Sequence, residues 1–205
     1  MRGFFRIGSE EYAVTNKTFG IATLQKKHLK IEGNNLVFRY VGKKSIDQRS
    51  VVADTPLVEV LHEILKLPGK RLFQFVGDDG KAHPVTAADV NSYIRQIVGE
   101  RYTSKDMRTW GGTVRMATIL ADLGPPQSER EAKTNLVLAC KLVSSELGNT
   151  PSVCRSAYVH PSVMERYSEG KTIAPLMRDA PRDDEQPGRY YPEEAALMRF
   201  LERWG

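Results

Sequence analysis

The pattern of hydrophobic and polar residues predicts two regions of different secondary structure. In the first quarter of the chain, short apolar runs alternate with turn-forming residues, at 20–24, 28–31 and 36–41. The sequence Gly33-Asn34-Asn35 separates the last two runs and favours a turn between antiparallel strands. This quarter is therefore predicted to form β-strands and hairpins, and residues 72–76 are predicted to form a further short strand or extended link.

Beyond residue 54 the apolar positions recur at helical spacing. Helices are predicted over 57–65 and 87–98, because apolar residues in both segments return every three to four positions. A small β region followed by helices is typical of an α+β fold. We therefore predict a mostly helical domain with a small antiparallel β region at its N-terminal end.

Capping residues predict where the later helices begin and end. Ser104 is a candidate N-cap for a helix that runs to Leu123. Ser128, followed by a glutamate three residues later, predicts a capping box and a helix that ends at Gly148. Thr150-Pro151 predicts the start of a short helix, since proline is favoured at the first helical position.

These elements suggest a division of the chain. The main predicted domain covers residues 1–178, with a β-rich part over about 1–54 and a helical part over about 55–178. Residues 179–191 are charged and rich in proline and show no apolar period, so they are predicted to be a linker. Residues 192–205 are predicted to form a C-terminal amphipathic helix.

Positive charge is concentrated near the N-terminus. The first 50 residues carry ten Lys or Arg and four Asp or Glu, a net charge of +6, whereas the whole chain carries +5. A basic segment on a nearly neutral body suggests a surface for a polyanion, most often a nucleic acid. A solvated lysine-rich face would have the same composition, so charge alone leaves both interpretations open.

The composition argues against several other classes of protein. No apolar run approaches the roughly 18–20 residues that span a bilayer, and the first residues lack the apolar stretch of a signal peptide. The chain is therefore predicted to be cytoplasmic. Cys140 and Cys154 offer no C-x-x-C pair, and buried structural thiols are expected. No P-loop, H-E-x-x-H or Cys/His ligand spacing is present, so neither a metal nor another cofactor is predicted.

Two stretches carry candidate chemistry. In KDMRTWG, residues 105–111, Arg108 falls in the first turn of a helix, where a guanidinium is suited to hold two oxygens of one phosphate. In LGNTPSVCRSAY, residues 147–158, Tyr158 follows a short proline-started helix. A phenol is a poor nucleophile at neutral pH unless cations surround it. Taken alone, these stretches favour a surface arginine, with Trp110 in the core, and a packed tyrosine.

Taken together, the two stretches resemble the active-site segments of poxvirus-like and bacterial type IB DNA topoisomerases. The N-terminal part is similar in order and spacing to that family's β region, through FFRIG, Tyr12, GIATLQKKHLKI and FRYVGKKS. The resemblance extends from about Phe4 to about Glu169. In relatives a smaller N-terminal domain closes a clamp around the duplex, and we expect the given chain to lack it.

The resemblance assigns a role to individual residues. It implies that Tyr158 is the nucleophile, that Arg6 and Arg108 are the two catalytic arginines, and that Lys43 is the general acid. Asn149 stands at a fifth position that is often histidine in the family. It cannot carry a positive charge, but its amide can donate a hydrogen bond to a phosphate oxygen. The predicted DNA-binding residues are Tyr12 and Lys105, which match contact positions of relatives, together with Lys44 and Arg155.

The implied reaction is transient cleavage of one strand of duplex DNA. Ionised Tyr158 would attack phosphorus to form a 3′-phosphotyrosyl bond, and Lys43 would protonate the departing 5′-oxygen. Because the covalent intermediate keeps the bond energy, the strand can be resealed, and supercoils relaxed, without ATP or metal. The resemblance predicts a monomer that acts on duplex DNA, has no membrane partner and associates with the nucleoid.

Two other functions stay open. A tyrosine recombinase or integrase shares the nucleophile and the arginine pair, but usually has histidine three residues before the second arginine, where this chain has Lys105. A catalytically weak DNA-binding relative is favoured only by Asn149.

Overall fold

The computed structural model describes residues 3–178 and 191–205, which fall into two compact units that divide between Asp106 and Met107. Residues 179–190, most of the predicted linker, lie outside the described residues. The α+β fold class is confirmed, since a small antiparallel sheet near the N-terminus is followed by helices.

The first unit contains the described β structure. In chain order its elements are α1 (Glu10–Thr15), β1 (Leu29–Glu32), β2 (Asn35–Gly42), β3 (Ile46–Ala53), α2 (Thr55–Lys66), β4 (Gln74–Val76), β5 (Ala82–Pro84) and α3 (Ala87–Val98). Strands β1, β2 and β3 form an antiparallel sheet in that order, and β4 and β5 form a separate hairpin. Helix α3 has the limits that its apolar period predicts.

One face of the sheet and helix α2 build the core of this unit. Side chains alternate along β2, so Leu36, Phe38 and Tyr40 face the core while Arg39 lies on the opposite, exposed face. Leu61 of α2 is fully buried in the same cluster. Each such apolar side chain stabilises the fold by about 1.5–3 kcal/mol when it is buried.

The first apolar run is not a strand, and this prediction was wrong. Residues Ile21–Thr23 form a single 3₁₀ turn, in which the Thr23 Oγ1 accepts from the Gly20 N–H at 2.9 Å. The run is apolar because Ala22 and Leu24 are buried, not because it pairs in a ladder. The prediction of a β-rich part over 1–54 also missed helix α1.

The second unit is helical. Its elements are α4 (Ser104–Leu123, from Met107 onwards), α5 (Glu129–Leu147), α6 (Pro151–Ala157), α7 (Pro161–Ser168), α8 (Ala174–Met177) and α9 (Pro192–Trp204). Helix α5 packs against α6 and α7, and α9 packs against α7 and α8. The Trp110 indole N–H of α4 donates to the Glu194 Oε1 of α9 at 3.3 Å.

The helix ends follow the capping residues, with one shift. Helix α4 begins at Ser104, so Thr103 and not Ser104 is its N-cap; the Asp106 carboxylate accepts from the Thr103 N–H at 2.8 Å. The Ser128 hydroxyl accepts from the Glu131 N–H at 3.1 Å at the start of α5. Gly148 ends α5 at a positive φ of 62°, a conformation that glycine adopts without steric cost.

Both cysteines are buried in the second unit, as expected. Burial, and after it the neighbouring Cys140, raise the pKa of the Cys154 thiol to about 11. Burial also raises the pKa of Cys140, against the opposing effect of Arg155. Within residues 3–178 and 191–205, no helix is both long enough and apolar enough to cross a membrane.

Candidate active site

Four of the predicted site residues line one cavity in the first unit. Arg6, Tyr12, Lys43 and Lys44 surround a space of about 480 Å³. They come from three separate segments: the chain before α1, helix α1 itself, and the loop between β2 and β3. The cavity therefore carries three cations and a phenol, a composition suited to a phosphodiester.

The backbone of Arg6 is held by the 3₁₀ turn that replaced the predicted strand. The Arg6 carbonyl accepts from the Ile21 N–H at 2.8 Å. A Cβ added to Gly20 would lie 2.5 Å from the Arg6 carbonyl oxygen and 2.4 Å from the Gly8 nitrogen, so the two chain segments approach closely only because residue 20 is glycine. The sequence signal was the glycine itself, at the start of the apolar run.

Lys43 lies at the tip of a tight hairpin. Gly42 pairs with Ile46, so only residues 43–45 connect β2 to β3. Lys44 and Ser45 adopt positive φ values of 63° and 57°, which for such residues cost about 1–3 kcal/mol. Pairing of the two strands maintains this shape, and it presents Lys43 and Lys44 to solvent at the cavity.

In the second unit, Arg108 and Tyr158 lie side by side. The Arg108 side chain is 4% exposed, its Nη2 donates to the Leu147 carbonyl at 2.9 Å, and its guanidinium carbon lies 5.3 Å from the centre of the Tyr158 ring. Arg108 is therefore not the surface residue that the local sequence favoured. A guanidinium held this way places positive charge beside the phenol.

Helix α4 also holds the backbone around Tyr158. A Cβ added to Gly112 would lie 2.5 Å from the Tyr158 carbonyl oxygen. The Thr109 hydroxyl donates to the Ala157 carbonyl at 3.4 Å, and the Thr113 Oγ1 accepts from the His160 N–H at 3.1 Å. Residues 109, 112 and 113 share one helix face. This contact was not predicted from the sequence, although the pair of glycines after Trp110 was a signal for it.

Asn149 sits at the turn between α5 and α6. Its N–H donates to the Ser144 carbonyl at 3.0 Å. Its side-chain nitrogen and oxygen are both buried and form no hydrogen bond with any residue that the structure describes. A buried amide without partners costs about 1–3 kcal/mol. To donate to a phosphate, the amide would have to turn away from its present position.

The remaining predicted DNA-binding residues lie elsewhere. Lys105 is exposed in the first turn of α4. Arg155 is exposed on α6 and lines a different cavity of about 480 Å³, together with Leu136, Ser152, Ser156, Pro161, Met164, Glu165 and Ser168. Among the described residues no group of three or more His, Cys, Asp or Glu side chains could hold a metal ion.

A family model and similar known proteins point to the same family. The family model described as eukaryotic DNA topoisomerase I, catalytic core, matches residues 2–180. The chain is 31% identical to DNA topoisomerase 1B of Acanthamoeba polyphaga mimivirus over 169 residues, 79% of this chain and 50% of that protein.

Two further relatives come from poxviruses. The chain is 26% identical to DNA topoisomerase 1B of Vaccinia virus (strain Copenhagen) over 175 residues, 81% of this chain and 50% of that protein. It is 25% identical to DNA topoisomerase 1 of Rabbit fibroma virus (strain Kasza) over 186 residues, 88% and 55% of the two chains. The chain thus spans about half the length of the curated relatives it matches.

Proposed function

The chain belongs to the type IB DNA topoisomerase family, and from this premise we propose that it cleaves and reseals one strand of duplex DNA through Tyr158. The relatives' names state the activity of those proteins, and the chain matches about half of their length. The proposal therefore depends on the side chains of this chain. The observation that carries it is the Arg108 guanidinium 5.3 Å from the Tyr158 ring.

In the proposed reaction the Tyr158 oxygen attacks a phosphorus atom of the DNA backbone. The phenol loses its proton, a bond forms between the tyrosine oxygen and phosphorus, and the bond from phosphorus to the 5′-oxygen breaks. Phosphoryl transfer spreads negative charge over the non-bridging oxygens, so it is accelerated by positive groups fixed around them. Arg108 suits this role because its Nη2 is already fixed by the Leu147 carbonyl.

The cavity of the first unit supplies the other proposed groups. Lys43 is the proposed general acid that protonates the leaving 5′-oxygen, and Arg6 is the second arginine at the phosphate. Both line the same cavity as Tyr12 and Lys44, which we propose to contact the DNA backbone. When the 5′-hydroxyl attacks the phosphotyrosine, the same groups act in reverse and reseal the strand, so no ATP is consumed.

The direct test uses supercoiled plasmid in the presence of EDTA. We expect this chain to relax the plasmid, and after denaturation we expect protein attached to a 3′ strand end. If the wild-type protein binds DNA but forms no adduct, the result would support a catalytically weak DNA-binding relative. Strand exchange between two duplexes, without relaxation, would instead support a recombinase.

Cytoplasmic, nucleoid-associated localisation and a monomeric state stay predictions.

The contact between α4 and the Tyr158 backbone predicts the effect of one methyl group. Gly112→Ala is expected to slow single-turnover cleavage about 10²-fold, because displacement of a reacting group by about 1 Å has effects of that size. The added Cβ would lie 2.5 Å from the Tyr158 carbonyl oxygen, so the backbone must move. DNA binding measured by fluorescence anisotropy is expected to change little.

A matched control lies on the same helix. Thr118→Ala removes a hydroxyl that donates to the Val114 carbonyl at 2.9 Å within α4, and it should cleave at close to the wild-type rate. If Gly112→Ala also cleaved normally while both variants melted like wild type, the positioning role of Gly112 would be wrong.

Asn149 has a testable role despite its buried amide. If the amide turns to donate to the developing charge, Asn149→Ala should slow cleavage by about 10². Asn149→His should keep or raise the rate, because imidazole donates the same bond and can add charge near neutral pH. The measurement is single-turnover cleavage of a suicide DNA substrate by the two variants.

Stability gives an independent readout for the same position. Since the Asn149 amide forms no hydrogen bond with described residues, Asn149→Ala removes an unsatisfied polar group and should not lower the melting temperature through lost bonding. A wild-type cleavage rate for Asn149→Ala would show that the residue only links two helices.

A further inference from the structure

A second groove in the first unit has a lining with net positive charge. It has a volume of about 1060 Å³ and is lined by residues of α1, of the segment between α1 and β1, and of strands β2 and β3. Its cationic lining residues are Lys17, Lys27, Arg39 and Arg49, and Asp47 is the one carboxylate among the residues that line it. This set excludes the cations of the candidate active site, which line the other cavity of the unit.

Two of these cations face each other directly. Arg39 of β2 and Arg49 of β3 are partners in the antiparallel register, and both are exposed. Like charges in directly opposite positions destabilise a sheet. Among the residues that the structure describes, neither arginine forms an ion pair or a hydrogen bond through its side chain, but both attract Glu32 at longer range. Lys30, which pairs with Glu32 at 2.8 Å, and then the two arginines lower the pKa of that carboxyl. The sheet therefore carries a repulsive pair that an anion in the groove would neutralise.

The groove also has neutral hydrogen-bonding and aromatic walls. His28 is buried, and its Nδ1 accepts from the Gln25 N–H at 3.1 Å, which leaves the proton on Nε2. Burial, and then Lys27, lower the pKa of His28, so the ring is neutral at neutral pH. Phe19 packs edge-on against His28, with ring centres 4.5 Å apart.

Phe19 connects this groove to the candidate active site. It lines both the groove and the cavity that holds Arg6 and Lys43. The two basic surfaces are therefore neighbours on one compact unit, and Phe19 lines both of them. A backbone that carries one negative charge per about 1.7 Å of duplex would meet cations in both places.

We propose that the groove binds the phosphate backbone of the DNA flanking the cleavage site, with Arg39 and Arg49 as its central contacts. The inference rests on the proposed function, because it takes the cavity of Arg6 and Lys43 as the place of cleavage. It adds a binding surface whose residues take no part in the chemistry and which extends the contact along the same duplex.

The test compares salt dependence of binding between charge-matched variants. Each phosphate contact contributes about −0.9 to the slope of log K against log salt on duplex DNA. Arg39→Gln/Arg49→Gln should make that slope shallower by about 1.8 on a long duplex, measured by fluorescence anisotropy. Lys66→Gln/Lys70→Gln removes the same charge from exposed positions outside the groove, and it should keep the wild-type slope.

A shorter duplex and the melting temperature of the variant provide two controls for this test. On a duplex shortened to about one helical turn, or about 10 bp, the groove variant and the wild type should converge, because the flank is gone. The variant should melt close to wild type, since the substitution relieves the repulsion between the two arginines and also removes their attraction to Glu32. Equal slopes for both variants on the long duplex would overturn the proposal. It would also be overturned if the slope of the groove variant stayed shallower than that of wild type by the same amount on the short duplex.

The same samples separate this inference from the proposed function. Denaturation of the wild-type complex reveals whether a covalent adduct forms on the long duplex. A wild type that binds with the expected slope but forms no adduct would contradict the proposed cleavage chemistry alone. If the wild type forms the adduct but the groove variant keeps the wild-type slope, only the proposed binding of DNA in the groove would be contradicted.

Discussion

Tyr158→Phe is expected to form no covalent adduct with DNA while binding duplex about as tightly as wild type. The substitution removes only the hydroxyl that attacks phosphorus, and the ring that lies 5.3 Å from the Arg108 guanidinium stays in place. Cleavage should therefore fall below detection, a larger loss than for any other variant. The measurement is adduct formation on a suicide substrate after denaturation, beside anisotropy with the same duplex.

Two other tyrosines test the assignment. Tyr167 is fully buried, and its hydroxyl donates to the Gly124 carbonyl at 3.0 Å and accepts from the Asn135 amide at 2.7 Å. Tyr167→Phe should lower the melting temperature, because it leaves these partners unsatisfied, yet it should still form the adduct. Tyr12 is 58% exposed in the first unit. A normal adduct with Tyr158→Phe that disappears with Tyr12→Phe would move the nucleophile to Tyr12.

Arg108→Ala is expected to slow cleavage by on the order of 10³ or more. Loss of one neutral donor to a developing charge typically costs 10²–10³ in rate, and a charged two-pronged donor contributes more than a neutral one. Arg108→Lys should recover only part of the loss, because an ammonium cannot bond the Leu147 carbonyl and a phosphate through one rigid fork. Single-turnover cleavage at saturating protein gives the rate without the effect of weaker binding.

A control arginine on the same helix separates chemistry from charge and folding. Arg115 of α4 is partly exposed and pairs with Glu146 at 2.8 Å. Arg115→Ala should cleave within a few-fold of wild type, as expected for loss of a surface ion pair. Arg108→Ala also empties a buried position, so melting temperatures of both variants are needed. If folded Arg108→Ala and Arg108→Lys cleaved like Arg115→Ala, Arg108 would be a structural residue and not a catalytic one.

Local sequence determined the limits of helices α3 and α5. Helix α3 follows its apolar period from Ala87 to Val98, and α5 begins after Ser128 and ends at Gly148, as their capping residues predict. These features depend on interactions within a few residues, so they can be read from a short window. The strand prediction for the apolar run at 20–24 was wrong because burial, and not strand pairing, explains the composition of that run. Short apolar runs look alike in both cases.

The sequence by itself also determined which residues are candidates, because the motifs around Arg6, Lys43, Arg108 and Tyr158 match, in the same order, those of the family that the sequence resembles. Only the tertiary structure decided how they are held. It buried Arg108 against the Leu147 carbonyl, 39 residues away, and packed Gly112 against the Tyr158 backbone. It also buried the side-chain amide of Asn149, although the sequence alone suggests that this amide is available as a hydrogen-bond donor. These outcomes depend on contacts between distant segments, whose geometry no local pattern of residues encodes.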